Sequence, residues 1–214
     1  MTEVLRPALV MLDCDGVLFD SWEANVGFYD AILMRLGLPL LDAEGRELAH
    51  RLSSAQLLEL FFAADPDTHR RADDIAREMD YAPFLPLMRP VRDLRGTLAW
   101  LRTRGRTAMV TNRGSTIPDV LAHFDLADLF DTVVGVHDAE RPKPAPDMLA
   151  VCLARLGVAP EQAIYVGDSP GDYAAARDAG VAFVGVGSDV DCERRIAELA
   201  ELPDLLGRNG AAAL

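Results

Sequence analysis

The chain has 214 residues, of which 50% are hydrophobic and 26% are charged. This composition indicates one folded domain, or one domain carrying an insert, and excludes a disordered or fibrous chain. The formal net charge of −13 at pH 7 makes binding to a nucleic-acid backbone unfavourable. Arginine supplies nearly all of the 21 basic residues, and Lys143 is the only lysine in the sequence.

The cysteine content and the hydropathy pattern bear on the cellular compartment. The three cysteines, Cys14, Cys152 and Cys192, are too few and too scattered for a disulfide framework or a zinc site. We find no signal peptide and no apolar run long enough to span a membrane. We therefore expect a cytoplasmic protein without a membrane partner, as a monomer or a homodimer.

Short apolar runs without alternation predict the strands of a buried parallel sheet. They lie at residues 8–12, 107–110, 132–136, 163–166 and 181–186. Between them, apolar residues recur at helical spacing from Val91 to Leu101, before Gly105, and from Met148 to Leu156, before Gly157. This alternation of strands and helices predicts an α/β fold.

One long stretch, from about Ser21 to Met88, shows helical patterns and no convincing strand. One stripe begins at Trp22 and stops at Gly37, a second helix begins at Ser53 or Ser54, and a third contains Ile75 and Met79. Ligands of open α/β sheets bind beyond the carboxyl ends of the strands. An insert that follows the first strand can therefore act as a lid.

Two aspartates, Asp13 and Asp15, follow the first predicted strand and precede Gly16. Two close carboxylates stay ionised only if a cation lies between them, and otherwise one of them takes a proton. The pair therefore suits a metal site, or a nucleophile with a general acid. A turn with solvated aspartates is the plain alternative.

A second pair, Asp168 and Asp172, follows the strand predicted at 163–166. Hard cations such as magnesium bind a few carboxylates and keep several waters. Capping of the next helix by Ser169 and Asp172 is the alternative. Capping would explain Asp172, but it would not explain Asp168, which lies at the strand end.

Two more segments contain groups suited to binding an anion. Thr111 and Asn112 end a predicted strand before a glycine, which makes either a small anion cradle or an ordinary turn. Lys143 lies between two prolines that fix its backbone, so its ammonium group can act on a phosphate. A polyproline ligand is the alternative, and the helix predicted immediately afterwards disfavours it.

Taken in the order in which they occur along the chain, the four segments resemble the motifs of the haloacid dehalogenase superfamily of phosphotransferases. The resemblance covers nearly the whole chain, and residues 167–180 match the fourth motif almost residue for residue. The similarity is greatest to the phosphoglycolate-phosphatase-like and β-phosphoglucomutase-like branch. The resemblance implies a Rossmann-like parallel sheet with helices on both faces, formed by residues 1–20 and 89–214. Residues 21–88 would form an inserted α-helical cap.

The resemblance also implies catalytic roles. Asp13 would be the nucleophile that forms an aspartyl phosphate, and Asp15 would protonate the leaving oxygen and then activate water. Thr111 would bind the transferring phosphoryl group, and Lys143 would neutralise its charge. Asn112 is a further candidate for phosphate binding.

The same resemblance implies a magnesium cofactor. Asp13, Asp168 and the backbone carbonyl of Asp15 would hold Mg²⁺, with Asp172 close by, directly or through water. Ser169 is a second-tier candidate at this end of the site.

Two features of the sequence, the aspartate at position 15 and the lack of lysine in residues 21–88, narrow the class of reaction. A dehalogenase would not be expected to carry an aspartate at position 15. A phosphonatase of the superfamily needs a cap lysine, and residues 21–88 contain none. Cap residues should select the substrate, with His50 and Arg51 the first candidates because arginine suits a carboxylate or a second phosphate.

We therefore expect a magnesium-dependent phosphatase that acts on a small phosphorylated metabolite. A phosphomutase of the β-phosphoglucomutase type would use the same core residues and transfer the phosphoryl group to a second hydroxyl instead of water. A non-catalytic binding protein on the same fold is the third hypothesis.

Overall fold

The computed structural model describes residues 6–207, apart from the side chains of His50 and Arg51. The strands of this region are β1 (Leu9–Leu12), β2 (Phe19–Asp20), β3 (Arg89–Pro90), β4 (Arg106–Val110), β5 (Thr132–Val134), β6 (Ala163–Gly167), β7 (Ala182–Val186) and β8 (Arg195–Ile196). Its α-helices are α1 (Trp22–Leu36), α2 (Ala43–Arg51), α3 (Ser54–Phe62), α4 (Pro66–Glu78), α5 (Leu94–Arg102), α6 (Ile117–His123), α7 (Asp147–Leu156), α8 (Pro170–Asp178) and α9 (Leu202–Leu205).

Six strands form a parallel sheet in the order β5-β4-β1-β6-β7-β8. Alternate side chains of each strand enter one of two apolar layers, so that Val10 and Leu12 belong to one layer and Leu9 and Met11 to the other. Helices α5, α6 and α9 cover the first layer, and α7 and α8 cover the second. This arrangement confirms the predicted Rossmann-like parallel sheet with helices on both faces.

Helices α1 to α4 and a 3₁₀ helix at Ala82–Leu87 form one continuous helical segment, residues 22–88. The segment begins after β2 and ends before β3, and these two short strands pair antiparallel to each other. Three of its helices begin at a side-chain cap, in which Asp42, Ser53 or Asp65 accepts a hydrogen bond from a backbone N–H three residues later. The short β2–β3 pair therefore holds the entry and the exit of the segment together.

The five predicted strands are confirmed to within one or two residues at their ends. The sequence patterns predict residues 50 and 51 between the first helix of this segment and the one that begins at Ser53 or Ser54, and this prediction is wrong because both residues belong to α2. Helix α2 is strongly polar and has no continuous apolar stripe, so periodicity did not reveal it. The side chains of His50 and Arg51 lie outside the described residues, and their contact with substrate remains a prediction.

No helix within residues 6–207 has the length and apolar character needed to cross a bilayer.

Candidate active site

The predicted site residues come together at the carboxyl edge of the sheet. Asp13 follows β1, Thr111 follows β4 and Asp168 follows β6, and these three strands are neighbours. The backbone N–H of Asp13 donates to Val166 of β6 over 2.9 Å, which fixes the ends of the two strands together. The parallel topology therefore brings together motifs that are far apart in sequence.

A cavity of about 1220 Å³ opens from this edge and lies between the sheet and the helical segment. From the core it is lined by the groups that follow β1, β4 and β6 and by Lys143. From the helical segment its lining includes Trp22, Asn25, Ser53, Ser54, Gln56 and Tyr81. A small molecule bound at the strand ends would therefore contact both parts of the chain.

Three carboxylates that line the cavity form a cluster. Asp13, Asp168 and Asp172 each offer an oxygen, and these oxygens lie within 4.8 Å of one another. The ammonium group of Lys143 lies 2.9 Å from Oδ1 of Asp13 and 2.6 Å from Oδ1 of Asp172. With all three carboxylates ionised, one ammonium group leaves two negative charges unbalanced. A divalent cation would neutralise that surplus.

The surroundings of Asp13 and Asp168 also favour a bound cation. Burial and nearby carboxylates raise the pKa of Asp13 to about 7, although Lys143 opposes the shift. Burial, with Asp13 and Asp172 close by, raises the pKa of Asp168 to about 8. Oδ1 of Asp13 lies close to Lys143, yet it is buried and receives no hydrogen bond of acceptable geometry among the described residues. Oxygen donors of this kind fit a hard divalent ion.

Gly16 allows the loop after β1 to approach Asp168 closely. Its φ of +75° lies in the left-handed region, where a side chain is disfavoured. A Cβ atom at this position would lie 1.8 Å from Oδ2 of Asp168. The glycine of the first motif is therefore required both by the backbone turn and by the neighbouring carboxylate.

We expect a divalent cation to raise the melting temperature of the protein more at about pH 8.5 than at about pH 6. Because the pKa values of Asp13 and Asp168 are raised, the folded protein without cation holds protons that the unfolded chain has lost. The stability that these protons provide is complete below the ordinary pKa of 3.8 and is lost as the pH rises through about 7 and about 8. At about pH 8.5 Asp13 and Asp168 have largely lost these protons, so a cation binds the two carboxylates with little competition from protons.

Thermal melts with MgCl₂ or with EDTA at the two pH values test this expectation. Asp168→Asn is the matched variant and should lose most of the stabilisation by cation. An equal shift at both pH values in the native protein would contradict the assignment of these carboxylates.

Lys143 is buried with 4% of its side chain exposed, and protein groups surround its ammonium group. In addition to Asp13 and Asp172, Nζ donates to the hydroxyl of Tyr165 over 2.7 Å. Burial disfavours the charged amine, but the two carboxylates outweigh that effect and raise the pKa of Lys143. The ammonium group therefore stays charged beside Asp13 and Asp172.

Asn112 holds the loop that carries Lys143. Its Oδ1 accepts from the backbone N–H of Lys143 over 3.0 Å, and its Nδ2 donates to the backbone carbonyl of Lys143 over 3.2 Å. The prediction placed Asn112 among the phosphate-binding groups, but here its amide faces protein backbone. The side chain therefore positions Lys143 in this structure.

Both oxygens of Asp172 accept several hydrogen bonds. Oδ1 accepts from Lys143 and Tyr165, and Oδ2 accepts from the backbone and hydroxyl of Ser169 and from the backbone of Asp168. Burial opposes ionisation, but Lys143 and these donors lower the pKa of Asp172. With Ser169, Asp172 also forms the capping box of α8. Asp172 therefore both caps helix α8 and belongs to the carboxylate cluster.

Tyr165 is a site residue that the sequence did not reveal. It lies in β6 with its side chain fully buried, and its hydroxyl contacts Lys143, Asp172 and the carbonyl of Val110. The sequence could have indicated Tyr165 through one signal, a tyrosine in an otherwise aliphatic buried strand. A buried tyrosine hydroxyl needs a hydrogen-bond partner, which suggests polar groups nearby.

Tyr165→Phe should reduce turnover by roughly tenfold while the protein still folds, because one of the contacts that hold the ammonium group is lost. Steady-state kinetics and a thermal melt measure both effects. Phe183→Leu is the control, since Phe183 packs against the Tyr165 ring without reaching Lys143. Native kinetics in Tyr165→Phe would show that the hydroxyl has no part in placing Lys143.

Asp15 lies beside this cluster but faces different partners. Nε and Nη2 of Arg113 donate to its two carboxylate oxygens over 2.8 Å and 2.6 Å. The hydroxyl of Ser21 also donates to it, and the amide of Asn25 does so over 3.4 Å. Arg113 was missed as a functional residue, although it directly follows the Thr111–Asn112 pair.

Thr111 is buried, and its hydroxyl accepts from the backbone N–H of Arg113 over 3.2 Å. It also lines the cavity. The structure thus brings seven predicted residues to one place, which are Asp13, Asp15, Thr111, Asn112, Lys143, Asp168 and Asp172.

Comparisons with known proteins agree with this arrangement. Residues 10–186 match the family described as haloacid dehalogenase-like hydrolase. A phosphoglycolate phosphatase of Pseudomonas putida is 31% identical over 94% of this chain and 79% of its own length. A phosphoglycolate phosphatase of Chromobacterium violaceum is also 31% identical, over 94% of this chain and 96% of its own. A solved hydrolase of the superfamily, subfamily IA, from Geobacter sulfurreducens has a TM-score of 0.75 and 33% identity, covering 96% and 99% of the two chains.

Proposed function

Since the chain belongs to the haloacid dehalogenase-like hydrolase family and is a phosphoric monoester hydrolase of that family, we propose that it hydrolyses a small phosphomonoester through an aspartyl phosphate, with magnesium as cofactor. The observation that carries the proposal is the cluster of Asp13, Asp168 and Asp172 around Lys143, all of which line the cavity. Phosphoryl transfer depends mainly on positioning and on neutralising charge, and this cluster supplies both.

In the first half of the reaction a carboxylate oxygen of Asp13 attacks phosphorus. The bond from phosphorus to the leaving oxygen breaks, and that oxygen keeps the electron pair and takes a proton from Asp15. Lys143 and Thr111 stabilise the equatorial oxygens of the phosphoryl group while it moves. Lys143 is already charged and fixed there, so little reorganisation is needed.

In the second half, water attacks the phosphorus of the aspartyl phosphate. Asp15 takes the proton of the water, the bond between phosphorus and Asp13 breaks, and inorganic phosphate leaves. Asp13 is then a carboxylate again and Asp15 is protonated, as at the start. Both residues lie on the same short loop after β1.

The donor set fits the proposed magnesium ion. Asp13, Asp168 and the backbone carbonyl of Asp15 would hold it, with Asp172 close by. When bound, the ion supplies positive charge between the attacking carboxylate and the phosphoryl oxygens, which would otherwise repel each other. Asp172 would act chiefly through Lys143, because both of its oxygens already accept hydrogen bonds.

We further propose that residues 21–88 form a cap over a core of residues 1–20 and 89–214. The cavity is lined from both parts, so the cap would select the group attached to the phosphate. The names of the relatives make phosphoglycolate the first substrate to test. His50 and Arg51 remain candidates for binding its carboxylate.

Phosphate release from phosphoglycolate, several sugar phosphates and p-nitrophenyl phosphate tests the proposal, with MgCl₂ and with EDTA. We expect magnesium-dependent release from at least one of them, and none from Asp13→Asn. A native protein that releases no phosphate from any substrate would contradict the proposal. Transfer between hydroxyls that requires a bisphosphate, without free phosphate, would identify a phosphomutase instead.

A further inference from the structure

The side chain of Arg113 is buried at the border between the core and the helical segment, with 7% of it exposed. It lies outside the helical segment, three positions after Val110 at the end of β4, and 98 residues from Asp15 in sequence. Its guanidinium makes a two-pronged contact with both oxygens of Asp15, through Nε and Nη2. This geometry fixes the plane of a carboxylate as well as its distance.

The opposite side of the same guanidinium contacts the helical segment. Nη1 donates to the hydroxyl of Tyr81 over 3.0 Å, and Nη2 donates to Oδ1 of Asn25 over 3.0 Å. The guanidinium carbon also lies 5.2 Å from the centre of the Tyr81 ring. Asn25 belongs to α1 and Tyr81 follows α4, so Arg113 reaches both ends of the helical segment.

Asp15 has further partners on the same boundary. Ser21, which immediately precedes α1, donates its hydroxyl to Oδ1, and Asn25 donates its amide to the same oxygen. The carboxylate is therefore bound by a core arginine and by the start of the helical segment together. A displacement of the segment would change several of these contacts at once.

We propose that Arg113 is a positioning residue that orients the Asp15 carboxylate for proton transfer and makes that orientation depend on the docked helical segment. This inference rests on the proposed function, because it takes Asp15 as the group that exchanges a proton with the leaving oxygen and with water. Arg113 itself touches no reacting atom in this scheme. Its effect reaches the reaction through the placement of Asp15.

Leaving-group dependence separates this role from a purely structural one. The value of kcat/KM covers the steps up to departure of the leaving group, which is where Asp15 donates its proton. p-Nitrophenolate leaves readily without a proton, whereas phenolate is more basic and benefits more from an acid. The two phosphate esters have similar shapes and lack a carboxylate, so direct binding of substrate charge by Arg113 does not affect the comparison.

The experiment measures kcat/KM for both esters with MgCl₂ in Arg113→Met, in Asp15→Asn and in the native protein. We expect Arg113→Met to lose about tenfold more activity on phenyl phosphate than on p-nitrophenyl phosphate. Asp15→Asn should show the same selectivity, and the double variant should lose no more than Asp15→Asn alone. Arg177→Met removes an exposed arginine and is the control for loss of one positive charge.

Two conservative variants keep the test decisive if Arg113→Met does not fold. Arg113→Lys keeps the positive charge but cannot make the two-pronged contact with Asp15. Tyr81→Phe removes only the hydroxyl that accepts a hydrogen bond from Arg113 on the side of the helical segment. Each should show a smaller loss with the same preference for p-nitrophenyl phosphate. Equal losses on the two esters, or none, would overturn the inference while leaving the phosphatase assignment in place. Absence of turnover by the native protein would overturn both.

Discussion

Asp13→Asn should lower phosphatase turnover by on the order of 10³-fold or more, because an amide cannot replace a carboxylate as nucleophile. The same variant should melt at a higher temperature than the native protein when both are free of cation at about pH 8.5. Few explanations other than loss of the nucleophile combine lost activity with gained stability. A generally damaged fold would lose both.

The gain in stability follows from the surroundings of Asp13. Burial and the neighbouring carboxylates raise its pKa to about 7, so its ionised form disfavours the folded state despite Lys143. Above that pH, asparagine removes a buried charge from a cluster of three carboxylates that a single ammonium group balances only in part, and it keeps the shape of the side chain. The difference in melting temperature should shrink as the pH falls below about 7 and disappear below the ordinary pKa of 3.8, where the folded and the unfolded native chains both hold the proton.

Steady-state assays and thermal melts across this pH range measure both effects. Asp178→Asn is the matched control, because Asp178 is an exposed aspartate that forms an ion pair with the neighbouring Arg177. More than about one tenth of native turnover in a verified Asp13→Asn preparation would rule out Asp13 as the nucleophile.

Lys143→Ala should lower turnover by about 10²- to 10³-fold, the usual effect of removing one preorganised group that stabilises developing charge. In this case the fold also suffers, because Asp13 and Asp172 lose their buried cationic partner. Breaking a buried ion pair typically costs about 3–5 kcal/mol. We expect a clear fall in melting temperature without cation, and partial recovery when a divalent cation is added.

Lys143→Arg separates charge from shape. Arginine keeps the positive charge, but its planar group is larger than the space between Asp13, Asp172 and the hydroxyl of Tyr165. Turnover should fall by more than about tenfold, although less than in the alanine variant. Full activity in Lys143→Arg would show that a compact ammonium group is not needed, and that the single lysine is a coincidence of composition.

The single lysine also offers a direct spectroscopic test. Lysine-selective isotope labelling should give one side-chain ammonium signal from the whole sequence. Asp13 and Asp172 raise the pKa of Lys143 above its ordinary 10.5, so this signal should keep the chemical shift of the charged form to unusually high pH. The signal should move when a divalent cation or a phosphate analogue binds.

The sequence was most informative at positions where a residue type has one common structural role. Apolar runs located five of the six strands of the parallel sheet and missed the two-residue strand β8, and glycines located the ends of α1 and α7. The resemblance of four ordered motifs to the haloacid dehalogenase superfamily is confirmed, and parallel topology explains why those motifs meet. Helix α2 escaped notice because its start depends on one cap at Asp42 and its faces are polar.

The contacts missed at the site are those between residues far apart in sequence. Nothing near Arg113 or Asp15 indicates that they pair across 98 positions. Similarly, Tyr165 fits a buried strand on hydropathy alone, and only the fold shows that its hydroxyl meets Lys143. The role of Asn112 in phosphate binding stays a prediction, and the fold adds that its amide holds the loop that carries Lys143.

The most direct test of the central claim is covalent trapping at Asp13. The native protein is mixed with MgCl₂ and excess of the best substrate, quenched in acid within milliseconds, and digested for peptide mass spectrometry. We predict one added phosphoryl group on the peptide that contains Asp13, absent from Asp13→Asn and accumulating in Asp15→Asn because water is then activated poorly. Rapid phosphate release by the native protein, with no phosphorylated peptide trapped in it or in Asp15→Asn, would contradict the account.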